Sequence, residues 1–357
     1  MTKTKATLKD LSRRTGFDIS TISRVLRDDR TLSIRQENID LIKAAAQQMN
    51  YVPNAAGRSL RSSRTYSIGA LVPSLENPIH AQIVQGTSEA CRQFGYSLIL
   101  AHAEIAELQI EVIRELVERN RVDALIALTF RTEYSKLGLS HDIPIMAVNW
   151  RTDEFASWVM VDEKPGAYLA TKSLIDLGHR KIAHLSGVLQ RFNAAERLAG
   201  YQDALTDSGI ALDPSLVEPA DYDYESGFDA MNRLLDRKQG KFSAVFVVSM
   251  MAAAGAISAL QKRGLTIPDD VSVVGFHDGL IARAISPSLS TVAFPLKKTG
   301  EVAATGLIKM LEGNSEPFTA VIADSELKPA GIPINYRPPF RFEAGHDSDQ
   351  LSAVFRL

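Results

Sequence analysis

Residues 7–26 read TLKDLSRRTGFDISTISRVL, and the order of residue types predicts two short helices meeting at a glycine. Thr7 with Asp10 three residues later is a weaker relative of the capping box, in which side chain and backbone satisfy each other at a helix start. Leu8 and Leu11 supply an apolar face, and Gly16 marks the stop, because glycine enters the left-handed region without steric cost. Asp18 caps the second helix by accepting from an orphan backbone N–H. In that helix Ile22, Val25 and Leu26 share one side, while Ser20, Thr21 and Arg24 fall elsewhere. Helices joined this way form a helix-turn-helix, whose second helix enters the major groove of DNA. The apolar residues hold the helix on its domain, and the polar ones face the duplex.

Outward from this stretch the charge agrees. Residues 1–65 carry a balance of +7, whereas the other 292 carry −9, so the formal −2 hides a cationic head on an anionic body. That asymmetry suits a nucleic-acid binder with a separate regulatory domain. A third helix is expected from Ser33, where SIRQ reads as a capping box and Ile39, Ile42, Ala46 and Met49 continue an inward face. At 357 residues and 45% apolar, the chain can bury a substantial core in two or three domains. No apolar run reaches the roughly 18 residues of a membrane span. No secretory h-region follows the basic start MTKTKATLKD, and Cys91 is the only cysteine, so a cytoplasmic protein without membrane or disulfide framework is expected.

Next comes NYVPNAAGRSLRSSRTYSIG at 50–69. Together with residues 7–26 it resembles the DNA-reading head and hinge of the lactose/galactose repressor family. The likeness extends to about residue 335 through LGHRKIAHLSG, ERLAGY, ESGF and IPDDVSVVGF. It implies that Ile19 and Ser20 lie where the family reads base edges, and Arg24 at a recurrent base or phosphate contact. Arginine can donate a bidentate pair to guanine, Ile19 offers only apolar contact, and Ser23 and Thr21 are expected on phosphates. The alternative for Ile19 is a place in the core. The resemblance also implies a hinge helix over Asn54–Leu60, folded on DNA and pressing Leu60 into the minor groove. Asn54 would cap it, and Arg58, Arg61 and Arg64 would neutralise phosphates. Seven residues are too few for a stable isolated helix, and Gly57 weakens it further.

From Ser67 the pattern becomes short buried strands alternating with amphipathic helices, which implies doubly wound parallel sheets. SIGALVP, SLILAHA, DALIALTF and IPIMAVNW form one set. A second set starts after Asp162, and residues from about 293 to 320 cross back to the first. The expected architecture is a helix-turn-helix head (1–53), a hinge (54–65), an α/β body of two doubly wound subdomains like a periplasmic binding protein (66–340) and a tail (341–357).

In open parallel sheets ligands bind beyond the carboxyl ends of the strands. Strand ends therefore nominate His80, Arg131, Asn149, Trp150, Arg191, Asn193, Arg197, Ser249, Met250 and His277, and the resemblance adds Tyr222. The resemblance implies that Arg197 grips the ligand and Tyr222 stacks on it, with Trp150 either a second platform or packing. Ser249-Met250 replaces a common Asn-Asp, GFHD places His277 at a commonly acidic position, and Asn149 stands where the family's lactose repressor has an aspartate. Losing acids while keeping Arg191 and Arg197 suits an anionic effector such as a sugar acid or sugar phosphate, with a neutral sugar in another pose as the alternative.

No His/Cys/Asp cluster has metal-ligand spacing, and no phosphate loop or nucleophile elbow occurs, so no metal, cofactor or catalytic site is expected. The leading expectation is a ligand-responsive transcriptional regulator, usually a repressor, holding near-palindromic double-stranded operator DNA as a homodimer through helix 79–94. The tail RFEAGHDSDQLSAVFRL lacks the sustained heptads of a tetramerising helix. A solute-binding protein without DNA function and a cytoplasmic α/β enzyme are the alternatives.

Overall fold

The computed structural model describes residues 6–26, 32–51, 64–129, 133–150, 155–189, 191–237, 242–314 and 316–330. The chain divides into two compact units, Met1–Thr65 and Tyr66–Leu357. In the first unit lie α1 (Leu8–Thr15), α2 (Ile19–Val25) and α3 (Gln36–Gln48). Thr7 makes a full capping box: its Oγ1 accepts from the Asp10 N–H at 3.3 Å, and its own N–H donates to Asp10 Oδ2 at 2.9 Å. Gly16, at φ 78°, closes α1 by donating to the Ser12 carbonyl. Leu11, Ile22 and Ile42 are fully buried where the three helices meet, ringed by Val25, Ala45 and Ala46. Ile19 is half-buried and lies outside that cluster of described residues.

One expectation fails here. The helix does not start at Ser33 but at Gln36, with Arg35 in the cap position and no side-chain cap. The Gln36 amide donates to Asp40 along the helix at 2.9 Å, an i,i+4 pairing that replaces the reciprocal bond to Ser33. The hinge expected over Asn54–Leu60, with Arg58 and Arg61, and the tail 341–357 lie outside the described residues.

The second unit contains β1 (Ser67–Val72), β2 (Ser97–His102), β3 (Ala124–Ala127), β4 (Ile145–Val148), β5 (Trp158–Val161), β6 (Ile182–Leu185), β7 (Val217–Glu218), β8 (Ala244–Val247), β9 (Ser272–Phe276), β10 (Ser290–Ala293), β11 (Thr319–Ile322) and β12 (Glu326–Lys328). They form two sheets, ordered β11-β5-β4-β3-β1-β2 and β12-β10-β9-β8-β6-β7. Every pairing is parallel except β10 with β12. The two orders correspond strand for strand, so β4 and β9 are equivalent positions in the two halves. The chain changes sheet after β5, after β10 and after β11. Sequence reading missed β5, β7, β10, β11 and β12, whereas β3, β4, β6 and β8, also four residues long, were legible as apolar runs.

The helices are α4 (Pro78–Gln93), α5 (Ala106–Glu118), α6 (Glu163–Asp176), α7 (Phe192–Asp207), α8 (Tyr224–Asp236), α9 (Met250–Lys262), α10 (Leu280–Ala284) and α11 (Leu296–Leu311). Three helix pairs cross backbone on backbone at glycines. A Cβ on Gly300 of α11 would stand 1.9 Å from the Ile83 carbonyl oxygen of α4, and one on Gly86 of α4 1.8 Å from that of Lys297. Gly200 serves α6 against α7, and Gly227 with Gly255 serves α8 against α9. One apolar cluster runs from Ile68, Ile126 and Val148 of the first sheet to Phe246, Phe276 and Val292 of the second.

Candidate functional site

β4 and β9 are each followed by a residue with left-handed backbone, Asn149 at φ 63° and His277 at φ 67°. Asparagine and histidine tolerate that region better than other side chains. The turn aims both into the interior between the halves. Asn149 Oδ1 and both ring nitrogens of His277 are buried with no hydrogen-bond partner among the described residues, as are the Tyr222 hydroxyl and His184 Nε2. Buried polar atoms are normally paired, so this concentration makes the strand ends a candidate binding site.

At its centre lies a buried ion pair. Arg197, 1% exposed, donates through Nε to Glu163 Oε2 at 2.8 Å, through one Nη to Oε1 at 3.1 Å, and through the other to the Val248 carbonyl at 2.6 Å. Its guanidinium lies 4.4 Å over the Phe276 ring and 5.5 Å from that of Tyr222. Burial opposes the Arg197 charge, but the Glu163 carboxylate more than offsets this, and the net effect raises its pKa. The Asn193 amide donates to the Asn149 carbonyl at 2.8 Å and to Glu163 Oε1 at 3.2 Å, tying the first half to the pair in the second. Gln82 of α4 makes a second tie, donating to the Asp278 carbonyl at 3.0 Å.

The other nominated residues take varied places. His80 Nδ1 bonds the Ser74 carbonyl at 2.9 Å. The Ser249 hydroxyl donates to the Tyr222 carbonyl at 2.8 Å and accepts from the Ala252 N–H at 3.0 Å as the cap of α9, and Met250 beside it is buried. Trp150 donates from its indole to the Ala127 carbonyl at 2.7 Å and packs edge-on against Phe155 at 5.7 Å. Arg191 is exposed, 3.6 Å from Asp221 and 5.5 Å from the Tyr222 ring centre. Arg131 lies outside the described residues. The expectation of an arginine fork clear of anions does not hold for Arg197, because Glu163 occupies it. Glu163, His184 and Gln82 escaped the sequence reading. Glu163 reads there as an ordinary acid in a helix's first turn, and His184 as one more residue of an apolar strand.

Four histidines of this unit are held neutral, chiefly by burial: His80, His179, His184, whose pKa falls to about 4, and His277, pushed well below the usual value. Arg197 adds to the effect on His184 and His277, and His80 to that on His277. Each native pKa lies below the unfolded one, so the unfolded chain binds more protons once pH falls under about 6.5. Folding stability is then full above pH 6.5 and declines toward pH 4. Urea unfolding is expected to show lower stability at pH 5 than at pH 7, at up to about 1.4 kcal/mol per pH unit for each histidine. A flat profile between those values would contradict this.

On the head, Asp18 caps α2, its Oδ1 accepting from the N–H groups of Ser20 at 2.9 Å and Thr21 at 3.0 Å. The Ser20 and Thr21 hydroxyls first, and then those backbone bonds, lower its pKa. Ser20 is exposed, while Ile19, Thr21, Ser23 and Arg24 are part-buried along the same helix.

Known proteins share both parts. Residues 65–323 match the family model described as periplasmic binding proteins and sugar binding domain of LacI family, and residues 7–54 match bacterial regulatory proteins, lacI family. The ribose operon repressor of Haemophilus influenzae is 32% identical, covering 89% of this chain and 96% of its own length. The HTH-type transcriptional repressor PurR of Erwinia tasmaniensis is 33% identical over 87% and 92%. The solved complex of the transcriptional regulator CelR with cellobiose superposes with a TM-score of 0.69 at 28% identity, over 92% of this chain and 100% of that one.

Proposed function

Because this chain belongs to the LacI family of bacterial regulatory proteins, as a ligand-responsive DNA-binding regulator and not an enzyme, we propose that it is a repressor whose homodimer holds a near-palindromic operator and whose effector is an uncharged sugar. The observation that carries the effector class is the set of unpaired buried atoms where β4 and β9 end. Asn149 Oδ1 needs a donor, neutral His277 offers one donor and one acceptor, and the Tyr222 hydroxyl does both. Sugar hydroxyls donate and accept, so neighbouring ones answer all of these together. The ionic group of a sugar acid or sugar phosphate brings acceptors alone, cannot itself answer Asn149 Oδ1 and meets Glu163. The cellobiose bound to the similar structure and the ribose operon named for the first relative support the class. Sugar acids and sugar phosphates, to which Arg191 speaks, are the second reading.

The homodimer rests on the outer face of α4. A concavity of 390 Å³ there is bordered by Val72, Leu75, Val84 and Leu100, and Leu75 and Leu100 are 60% and 47% exposed. Apolar surface of this kind is commonly covered by a partner. The effector acts only through its differential affinity for the DNA-bound and free states.

Thermal shift of the full chain against neutral sugars, their acids and their phosphates tests the reading, followed by gel shift on duplexes the protein itself selects. A neutral sugar at about 100 times its Kd is expected to add about 2.7 kcal/mol of stability and to change the gel-shift midpoint. Stabilisation by acids with indifference to neutral sugars would reverse the effector class. Failure to select any duplex would remove the regulator.

A further inference from the structure

A serine at a base edge is ordinarily uninformative, because its hydroxyl both donates and accepts and so suits every base. Ser20 differs. Its Oγ lies 2.6 Å from Asp18 Oδ1, and Thr21 Oγ1 lies 2.7 Å from Asp18 Oδ2. An ionised carboxylate only accepts, so in both contacts the hydroxyl must donate. The lengths are those of charge-assisted O–H···O⁻ bonds, roughly twice as strong as neutral ones. Asp18 keeps this role rigidly because Oδ1 is also fastened to the backbone N–H groups of Ser20 and Thr21.

We infer that Asp18 fixes the polarity of Ser20: with its hydrogen held by the carboxylate, Ser20 presents acceptor lone pairs alone, and the operator carries an amino base, adenine or cytosine, on the strand it faces. In the major groove adenine N6 and cytosine N4 donate, whereas guanine N7 and O6 and thymine O4 accept. Facing a keto base, Ser20 either sets two acceptors together or turns its hydrogen away from Asp18 and forfeits the stronger bond. The same geometry holds the Thr21 proton. A phosphate oxygen has no proton of its own, so phosphate contact falls to the basic residues instead of Thr21. Asp18 acts here as a positioning residue, touching the base only through Ser20.

This rests on the regulator reading and is tested on the full-length chain. A randomised duplex pool is selected with the wild type and with Ser20→Ala; the base pair whose preference depends on Ser20 is the one it faces. That pair is then rebuilt with the exocyclic amine deleted, or with purine N7 replaced by carbon. Deleting the amine is expected to weaken wild-type binding about tenfold, as much as Ser20→Ala does, with no further loss in that variant. Removing N7 is expected to change nothing. Asp18→Gly removes the acceptor at a cap where glycine costs only a few tenths of a kcal/mol relative to the best caps. It is expected to bind amino and keto bases within about twofold of each other, with an unchanged salt slope. Should Asp18→Gly prove unfolded by circular dichroism, the amine-deletion result on the wild type decides alone. Loss of binding with N7 or the keto oxygen, but not with the amine, would overturn the inference while leaving the regulator intact. Absence of any sequence-selective duplex removes the regulator itself, and this inference with it.

Discussion

Glu163→Gln is expected to lower the melting temperature of the body by about 10 °C, the largest loss from any single conservative change in the site. The substitution keeps volume and shape, so no cavity contributes. What it removes is the charge opposite Arg197, whose side chain is 1% exposed against 0% for Glu163. A buried cation left without its anion costs about 3–5 kcal/mol, far more than the 0–1 kcal/mol of an exposed pair. Asn193, whose amide also bonds the Asn149 carbonyl of the first half, loses an anionic acceptor as well. The paired replacement Glu163→Leu with Arg197→Met separates the causes. Buried ion pairs replaced by apolar residues of similar volume are often neutral in stability, so the double variant is expected to melt near the wild type while losing effector response. A Glu163→Gln melting curve that overlays the wild type would show that the pair contributes no stability.

Gly300→Ala is the second large effect, and two opposed terms decide it. Alanine is a better helix former than glycine by about 1 kcal/mol, which alone would stabilise α11. Against this, the new methyl would stand 1.9 Å from the Ile83 carbonyl oxygen and 2.9 Å from the Thr87 nitrogen. Both are backbone atoms, so no rotamer change relieves the overlap. The helices must separate, and the bond from the Thr87 hydroxyl to the Gly300 carbonyl, already 3.4 Å, is lost. The expected balance is a loss of about 3 kcal/mol and a fall of about 6–12 °C in melting temperature. Because α4 carries His80 and Gln82, effector binding is expected to weaken together with stability. A variant as stable as the wild type would mean that the crossing tolerates a wider spacing.

Two findings show how far local reasoning reached. The capping pattern at Thr7 and Asp10 was legible and is completed in full, whereas the same reading failed at Ser33, where Gln36 found a partner four residues on in its own helix. Both are contests between neighbours a few residues apart, and sequence order resolves only those with no near competitor. In the body seven strands and the amphipathic helices were plain, the strands as short runs of apolar residues and the helices by a repeating buried face. The strands β5, β7, β10, β11 and β12 were missed, and for β11 the reason is plain, since its place is set by pairing with β5 more than a hundred residues away.

The candidate site divides the same way. Sequence by itself determined the helix-turn-helix, the α/β rhythm and the strand ends at which Asn149 and His277 stand, because caps, turns and periodicity are encoded by residues near one another. Only the tertiary structure decided that Arg197 is already paired, that Asn193 ties one half to the other, and that Asn149 and His277 occupy equivalent strand ends. Those facts depend on which distant side chains meet in a medium of low polarity, where an unpaired charge or hydrogen-bonding atom is costly, and no short window of sequence records the meeting.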